Sequence, residues 1–463
     1  MSLKKGEIHN LTISNMAFGG KGIAKIDGFT IFVDKAVPLD IVNARIIKKK
    51  KNHAEARVES IIEPSPFRTN AQCRDSGFCG GCKWQFLRYH KQLEYKRDFV
   101  IDSLWHIGSL KDICVHSTIP SEKIFGYRNK MEFSCSDRRW LLPEELGDCD
   151  VDNDFAIGLH APGAFYKVID TEKCLLQPDL GNKILSDARE YMKSSDAPPY
   201  GLRNHTGFWR FLMLRHSAAF DRWMVNIVTS KEDPAQTEPL AKLLVDRYPE
   251  IVSVINNVTA KKSGVATGEY EIHLAGEPSI SDKIGPYSFE ISANSFFQTN
   301  TTGAKHLYDI VKKFADLLGD ELVFDLYSGI GTIAIYLSGY AKEIVGFEVV
   351  KSAVADAEKN CRINNITNCR FILGDLKESL KGFNEKPDVM VIDPPRSGMH
   401  KNVLKEVINL SPEKIIYVSC NPSTMARDLS LIKDEYEVLE VQPVDMFPHT
   451  YHIESVALIK KRG

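Results

Sequence analysis

Apolar and polar positions alternate in short runs through residues 6–62. The runs at 11–13, 22–24, 30–33, 41–42 and 56–58 are separated by Gly19-Gly20, Asp27-Gly28 and Pro38. That spacing predicts a small β-barrel. Pro64 and Pro66 then mark a boundary, so residues 1–65 form a first unit. Residues 66–290 are mixed α+β, with strand-like runs at 210–215 and 223–228. From about residue 296 the period changes, and 291–463 reads as a third unit. Leu307, Ile310, Val311, Phe314 and Leu318 recur at helical spacing and predict a helix over 304–318. Apolar runs at 322–326, 344–347, 389–392 and 415–418 each precede a helix-like stretch, and 436–460 reads as two strands with no helix between them. The pattern predicts an α/β fold, a doubly wound parallel sheet with an antiparallel edge strand.

The length of 463 residues suits two or three domains. With 43% hydrophobic and 26% charged residues, the composition excludes a disordered or fibrous chain. The net charge of −2 excludes a polybasic binder, but residues 1–60 carry 11 Lys and Arg against 6 Asp and Glu, a net of +5. Much of that lies in Arg45 and Lys48–Lys51, which suggests a polyanion-binding appendage on a neutral body. Met1-Ser2-Leu3-Lys4-Lys5 leads into no apolar stretch, and no window approaches the roughly 18 apolar residues of a membrane span. We therefore expect a cytoplasmic protein with no membrane association and no obligate protein partner. Ten cysteines are too few for a disulfide scaffold, so clustered ones read as metal-binding or catalytic.

Three polar strand ends suggest a nucleotide-type site. The loop Phe324-Asp325-Leu326-Tyr327-Ser328-Gly329-Ile330-Gly331-Thr332 turns a first strand into its helix, and its glycines admit a ligand close to the backbone. The second strand ends in Glu348, placed to accept two ribose hydroxyls, and the third runs to Gly374-Asp375, which can meet an adenine edge. D-L-x-x-G-x-G with these two acids resembles a Rossmann-like class I S-adenosylmethionine methyltransferase. The strands that end in Asp393-Pro394-Pro395-Arg396-Ser397-Gly398 and Ser419-Cys420-Asn421-Pro422 sharpen this, because together they resemble the RNA uracil-5-methyltransferase family.

The resemblance implies S-adenosylmethionine as cofactor and RNA as partner. It places Gln298, Asp325, Tyr327, Gly329, Gly331, Glu348, Asp375 and Asp393 at the cofactor, with Cys420 as nucleophile and Glu454 as base. The chemistry needs a thiolate, because C5 of uracil attacks a methyl sulfonium only after C6 has taken a nucleophile, and a base must then remove the C5 proton. Cys420 precedes a helix expected near Ser423, whose N-terminus would lower the thiol pKa. Glu454 should lie at the sheet edge near the ligand end, with His449 and His452 as rival bases. Asn294-Ser295-Phe296-Phe297-Gln298 resembles the family's F-x-Q segment, in which Phe296 offers a face to a flipped base while one of the two phenylalanines packs in the core.

Cys73, Cys79 and Cys82 give C-x5-C-x2-C, with Cys174 as a distant fourth candidate ligand. Spacing leaves zinc and an iron–sulfur cluster open. The resemblance implies a structural [4Fe–4S] cluster, because one subgroup of the family carries it on this pattern. Residues 1–65 resemble a TRAM domain, an OB-like RNA-binding barrel, but depart from it at Val37-Pro38-Leu39-Asp40, where the family has a glycine after the proline. Lys83, Arg88, Lys91, Lys96 and Arg97 add a second basic stretch, and Gly126–Lys130 resembles a family segment that faces RNA. The barrel and the cysteine cluster together favour ribosomal RNA, that of the large subunit, as substrate; the alternatives are the same chemistry on transfer RNA, or a non-catalytic RNA-binding or ribosome-assembly protein.

Overall fold

The computed structural model describes residues 3–146, 151–262, 264–381, 383 and 385–463; Met1 and Ser2 of the N-terminal reading lie outside them. Six short strands come first: β1 (Ile8–Thr12), β2 (Asn15–Ala17), β3 (Lys21–Ile26), β4 (Phe29–Asp34), β5 (Ile41–Lys49) and β6 (His53–Glu63). They form one sheet in the order β1-β5-β6-β4-β3-β2, so its two end strands are neighbours in the chain and the sheet curls back on itself. Alternate residues, among them Leu11, Ala24, Ile31, Val33, Val42, Ala44 and Ile46, fill its interior. Lys48 to Lys51 sit exposed where β5 turns into β6. At the departure noted above, Leu39 adopts the left-handed conformation (φ 73°) that a glycine would take without strain.

Helix α1 (Tyr89–His106) and the two-residue strand β7 (Cys114–Val115) follow. The middle of the chain forms β8 (Lys130–Ser136), β9 (Ala156–His160), β10 (Val168–Asp170), α2 (Asp179–Ser194), β11 (Trp209–Ser217), β12 (Arg222–Thr229), α3 (Pro234–Arg247), β13 (Ile251–Val258) and β14 (Tyr270–Gly276). These strands make a sheet ordered β10-β9-β8-β11-β12-β13-β14, antiparallel except for β12 with β13. A hairpin, β15 (Ser279–Ile284) and β16 (Tyr287–Ser292), leads into α4 (Thr301–Ala315). That helix ends earlier than its spacing suggests: Asp316 takes a left-handed cap, and Leu318 is 86% exposed beyond it.

The last part alternates as expected: β17 (Leu322–Leu326), α5 (Thr332–Leu337), β18 (Glu343–Glu348), α6 (Lys351–Ile363), β19 (Cys369–Leu373), α7 (Leu376–Ser379), β20 (Val389–Ile392), α8 (Lys401–Leu410), β21 (Lys414–Ser419), α9 (Pro422–Ser430), β22 (Tyr436–Val444) and β23 (Glu454–Lys461). The eight-stranded sheet is ordered β19-β18-β17-β20-β21-β23-β22-β7. Two expectations are corrected here. The antiparallel strand β22 is not the edge, because β7, from more than 300 residues earlier, pairs with it in parallel. Glu454 likewise opens an interior strand, since β23 lies between β21 and β22. Alternate strand residues bury on opposite faces. Val323, Ile344 and Val391 meet α4 and α5, whereas Phe324, Met390 and Tyr417 meet α8, α9 and α1. Among the described residues no helix is long and apolar enough to cross a membrane.

Candidate active site

The chain leaves β17 for β18 and β19 on one side and for β20 and β21 on the other. A crevice therefore opens at the carboxyl ends of these strands, where the order reverses. Gly331 starts α5 at φ 78°, and a Cβ there would stand 2.8 Å from the Phe371 ring, so the turn admits only glycine. Glu348 is held ready by backbone: Gly329 N–H donates to one carboxylate oxygen (3.0 Å), and Val349 and Val350 N–H donate to the other (2.8 Å each). Tyr327, Glu348 and Asp375 line a cleft of about 260 Å3 together with Pro395, Ser397 and His400. Asp375 caps α7, accepting from Lys377 N–H at 3.0 Å.

Deeper in, Asp325 is 1% exposed and accepts from Ala334 N–H at 3.2 Å, while its other oxygen has no partner. Burial, then the neighbouring Asp393 and Glu348, push its carboxyl up to about 8. Ser328 Oγ is also buried and unpartnered. A buried carboxyl with a spare oxygen suits a cationic ligand group, whose charge would offset the cost of ionising it. Gln298 sits beside the Tyr308 hydroxyl, which shares a 2.8 Å hydrogen bond with Thr332 Oγ1 at the start of α5. All eight residues expected at the cofactor thus lie around these strand ends. Thr332 closes the loop read from the sequence, whereas Tyr308 was missed, because a buried Tyr on an apolar helix stripe reads only as core.

A second group adjoins the first. β21 and β23 pair Ser419 with Ser455 in antiparallel register, so the next residues outward, Cys420 and Glu454, face each other across the strands. Asp393 and Arg396 act electrostatically on both. Asn421 Nδ2 and Thr424 Oγ1 donate to the Arg396 carbonyl, and Arg427 donates to the Ser397 carbonyl, which ties the 393–399 loop to α9. The expected depressed thiol is not found. Burial first, then Glu454 and Asp393, push the Cys420 thiol up to about 12, and these outweigh Arg396 and a backbone hydrogen bond at Cys420 itself. Burial and Asp393 also hold the Glu454 carboxyl well above the carboxylate range, against Arg396, and Asp393 itself is pushed up to about 6 by burial. Cys420, Asp393 and Glu454, acidic groups gathered at one point largely out of water, resist carrying more than one negative charge.

Glu454 is reached by a strap, 445–453, anchored from distant parts of the chain. Lys96 Nζ donates to Asp445 Oδ1 at 2.6 Å and to the Phe447 carbonyl at 3.0 Å, with both side chains of the ion pair fully buried. Tyr127 O–H donates to the Pro448 carbonyl, and Lys83 and Trp84 N–H donate to that of His449. Burial lowers both His449 and His452 to about 4, so they sit neutral. These contacts correct the reading of Lys96 as part of a basic surface: α1 turns it inward, Arg97 bonds the Val115 carbonyl, and Lys91 pairs with Glu94. Gly126–Lys130 is also largely structural, since Asn129 is buried and donates to the Gln298 carbonyl and to Thr301. Phe297 packs in the core while Phe296 is 65% exposed.

The four expected metal ligands meet apart from this centre. Cys73, Cys79, Cys82 and Cys174 line one pocket with Gln85, Leu159 and Leu176. Gln85 accepts from Cys73 N–H, Gly80 N–H donates to the His160 carbonyl, and Asn182 holds the Cys174 backbone. Burial pushes the Cys79 and Cys82 thiols up to about 12 and raises Cys73 and Cys174 as well. Among the described residues no three His, Cys, Asp or Glu side chains are set to hold a single ion.

A sequence profile described as tRNA (uracil-5-)-methyltransferase matches residues 252–462, and a TRAM domain profile matches residues 3–58. The chain is 42% identical to an uncharacterized RNA methyltransferase of Chlorobaculum tepidum, over 99% of this chain and 97% of that one. It is 41% identical to one of Bacteroides thetaiotaomicron, over 96% and 100%. A crystal structure of the tRNA (uracil-54, C5)-methyltransferase of Pyrococcus abyssi with S-adenosyl-L-homocysteine superposes with a TM-score of 0.74 at 27% identity, covering 97% of this chain and all of that one.

Proposed function

Since the chain belongs to the S-adenosylmethionine-dependent RNA (uracil-5-)methyltransferase family, we propose that it methylates C5 of a uridine in ribosomal RNA through a covalent bond from Cys420 to C6. The observation that carries this is the facing of Cys420 and Glu454 across β21 and β23, beside Asp393. S-adenosylmethionine, whose ammonium suits the unpaired Asp325 oxygen and whose ribose hydroxyls suit the backbone-held Glu348, supplies an electrophilic methyl group. In our reading Gln298, Asp325, Tyr327, Gly329, Gly331, Glu348, Asp375 and Asp393 hold it.

The Cys420 thiol gives up its proton to solvent as its sulfur bonds C6, and the π pair of the C5–C6 bond moves toward the 4-carbonyl. C5 then takes the methyl group as the methyl–sulfonium bond breaks and leaves a neutral thioether. Adduct formation turns a thiolate into a neutral thioether. That removes one negative charge from the buried acids and leaves Glu454 able to ionise and accept the C5 proton. The C5–H electrons then re-form the double bond, and sulfur leaves C6 as thiolate. Phe296, exposed beside Gln298, can stack on a base drawn out of its helix.

For the cysteine pocket we propose a [4Fe–4S] cluster in a structural role. Its donors are all thiols, which burial keeps protonated until a metal displaces the protons, and they surround a pocket rather than a point. A single zinc would need a tighter tetrahedron. The nine described cysteines are all free, which supports a reducing, cytoplasmic setting.

Transfer RNA is the second reading, favoured by the likeness to the Pyrococcus abyssi enzyme. Tritium release from C5-labelled ribosomal and transfer RNA separates the two readings. Release from ribosomal RNA alone supports our choice, and release from transfer RNA alone reverses it. Glu454→Gln should stop after methyl transfer and leave a protein–RNA adduct on a denaturing gel; a variant that turns over normally removes Glu454 as the base.

A further inference from the structure

Three separated loops of the middle region converge on a cleft of about 300 Å3 lined by Arg138, Arg139, Trp140, Tyr166 and Arg203, and also by Asp137 and Asp154. Lys167 Nζ lies 3.6 Å from the centre of the Trp140 ring, and the Arg203 guanidinium lies 3.9 Å from that of Tyr166. Trp140 is 41% exposed and the adjoining Phe165 66% exposed, large apolar faces left in water. Among the described residues, Arg138, Lys167 and Arg203 form no ion pair, whereas Arg139 is held by Glu145. The loops are preset by backbone bonds: Arg139 N–H donates to the Asn153 carbonyl, Trp140 N–H to that of Val168, and Lys167 N–H to that of Ala164.

We propose that this cleft binds a single-stranded segment of the RNA substrate, its aromatic rings and guanidinium planes stacking on bases and its free cations meeting phosphates. The inference rests on the RNA reading above and names a contact surface outside the barrel and the reaction centre. Open rings interleaved with unpaired cations suit nucleic-acid bases and phosphates together. Strand β8 sets the distance. Asn129, just before it, donates to the Gln298 carbonyl at the cofactor end, whereas Ser136 at its far end lines the cleft. Seven residues of strand span about 23 Å. The cleft therefore grips RNA away from the reacting base and acts on binding, not on the chemical step.

The test compares the full-length protein with Trp140→Ala/Arg203→Ala, using fluorescein-labelled decamers of oligoadenylate and oligouridylate, with methylation kinetics on ribosomal and transfer RNA alongside. Both side chains are partly exposed, so the variant should melt with the wild type. The expected result is a Kd for oligoadenylate raised at least ~10-fold, a higher KM for RNA with kcat unchanged, and near-wild-type binding by Trp140→Phe. Ultraviolet crosslinking should place RNA on the peptides around Trp140 and Tyr166. Decamer Kd and RNA KM within about twofold of wild type overturn the inference, even when methylation proceeds normally. A wild-type protein that binds no decamer overturns it too. Loss of methylation on every RNA, with decamer binding still dependent on Trp140 and Arg203, overturns the proposed reaction and leaves the cleft supported.

Discussion

Replacing Lys96 by Met probes how the strap that carries Glu454 is held. Met has nearly the volume of Lys but no ammonium, so it breaks the 2.6 Å contact with Asp445 and the 3.0 Å bond to the Phe447 carbonyl without opening a large hole. Asp445 keeps the Tyr89 hydroxyl at 2.9 Å and the Phe447 N–H at 3.0 Å, but its charge stays buried and uncompensated. Breaking a buried ion pair in this way costs about 3–5 kcal/mol, and the two surviving bonds put this case near 3. For a cooperative unit of this size that lowers the melting midpoint by roughly 6–12 °C. The assay is thermal melting followed by circular dichroism on Lys96→Met, Asp445→Asn and the double variant. Adding Asp445→Asn to Lys96→Met should recover stability, because it removes the stranded charge. Turnover should fall more than S-adenosylmethionine affinity, since the strap leads into β23. A Lys96→Met protein melting within about 2 °C of wild type, or a double variant less stable than Lys96→Met, refutes the reasoning.

Other expectations are more local. Leu39→Gly should stabilise the barrel by roughly 0.5–1 kcal/mol by relieving the left-handed backbone at φ 73°; an unchanged or lower urea midpoint counts against that strain. His449 is 5% exposed and lowered from 6.5 to about 4, so the folded protein binds fewer protons than the unfolded chain between those values. Its contribution is complete above pH 6.5 and is lost as pH falls toward 4, up to about 3 kcal/mol. His449→Gln should flatten that part of the stability profile, and an identical profile in both proteins would dismiss the histidine. Anaerobic purification should give brown protein with broad visible absorbance that Cys174→Ser loses; colourless protein with one zinc would point to a different metal centre.

Local rules were enough for the elements nearest the cofactor. Strand ends at Glu348 and Asp393 were legible because a buried parallel strand is a continuous apolar run, and its polar terminus stands out. The stop of α4 at Asp316 was not legible. Leu318 fits the helical period, and only the capped, left-handed turn before it excludes it. Charge misled in the same way at Lys96, which reads as surface until its partner, Asp445, is supplied from 349 residues away.

By itself the sequence determined the α/β class, the succession of barrel, mixed region and doubly wound sheet, and the residue types the proposed chemistry needs. These follow from periodicities and motifs within a few residues of one another. Tertiary structure alone decided the rest. It paired β7 with β22, set β23 inside the sheet, and so brought Glu454 opposite Cys420. It also raised the Cys420 thiol where a helix end suggested the reverse. Strand pairing and burial are non-local: they depend on which distant segments exclude water from a group, and no window of sequence contains both partners.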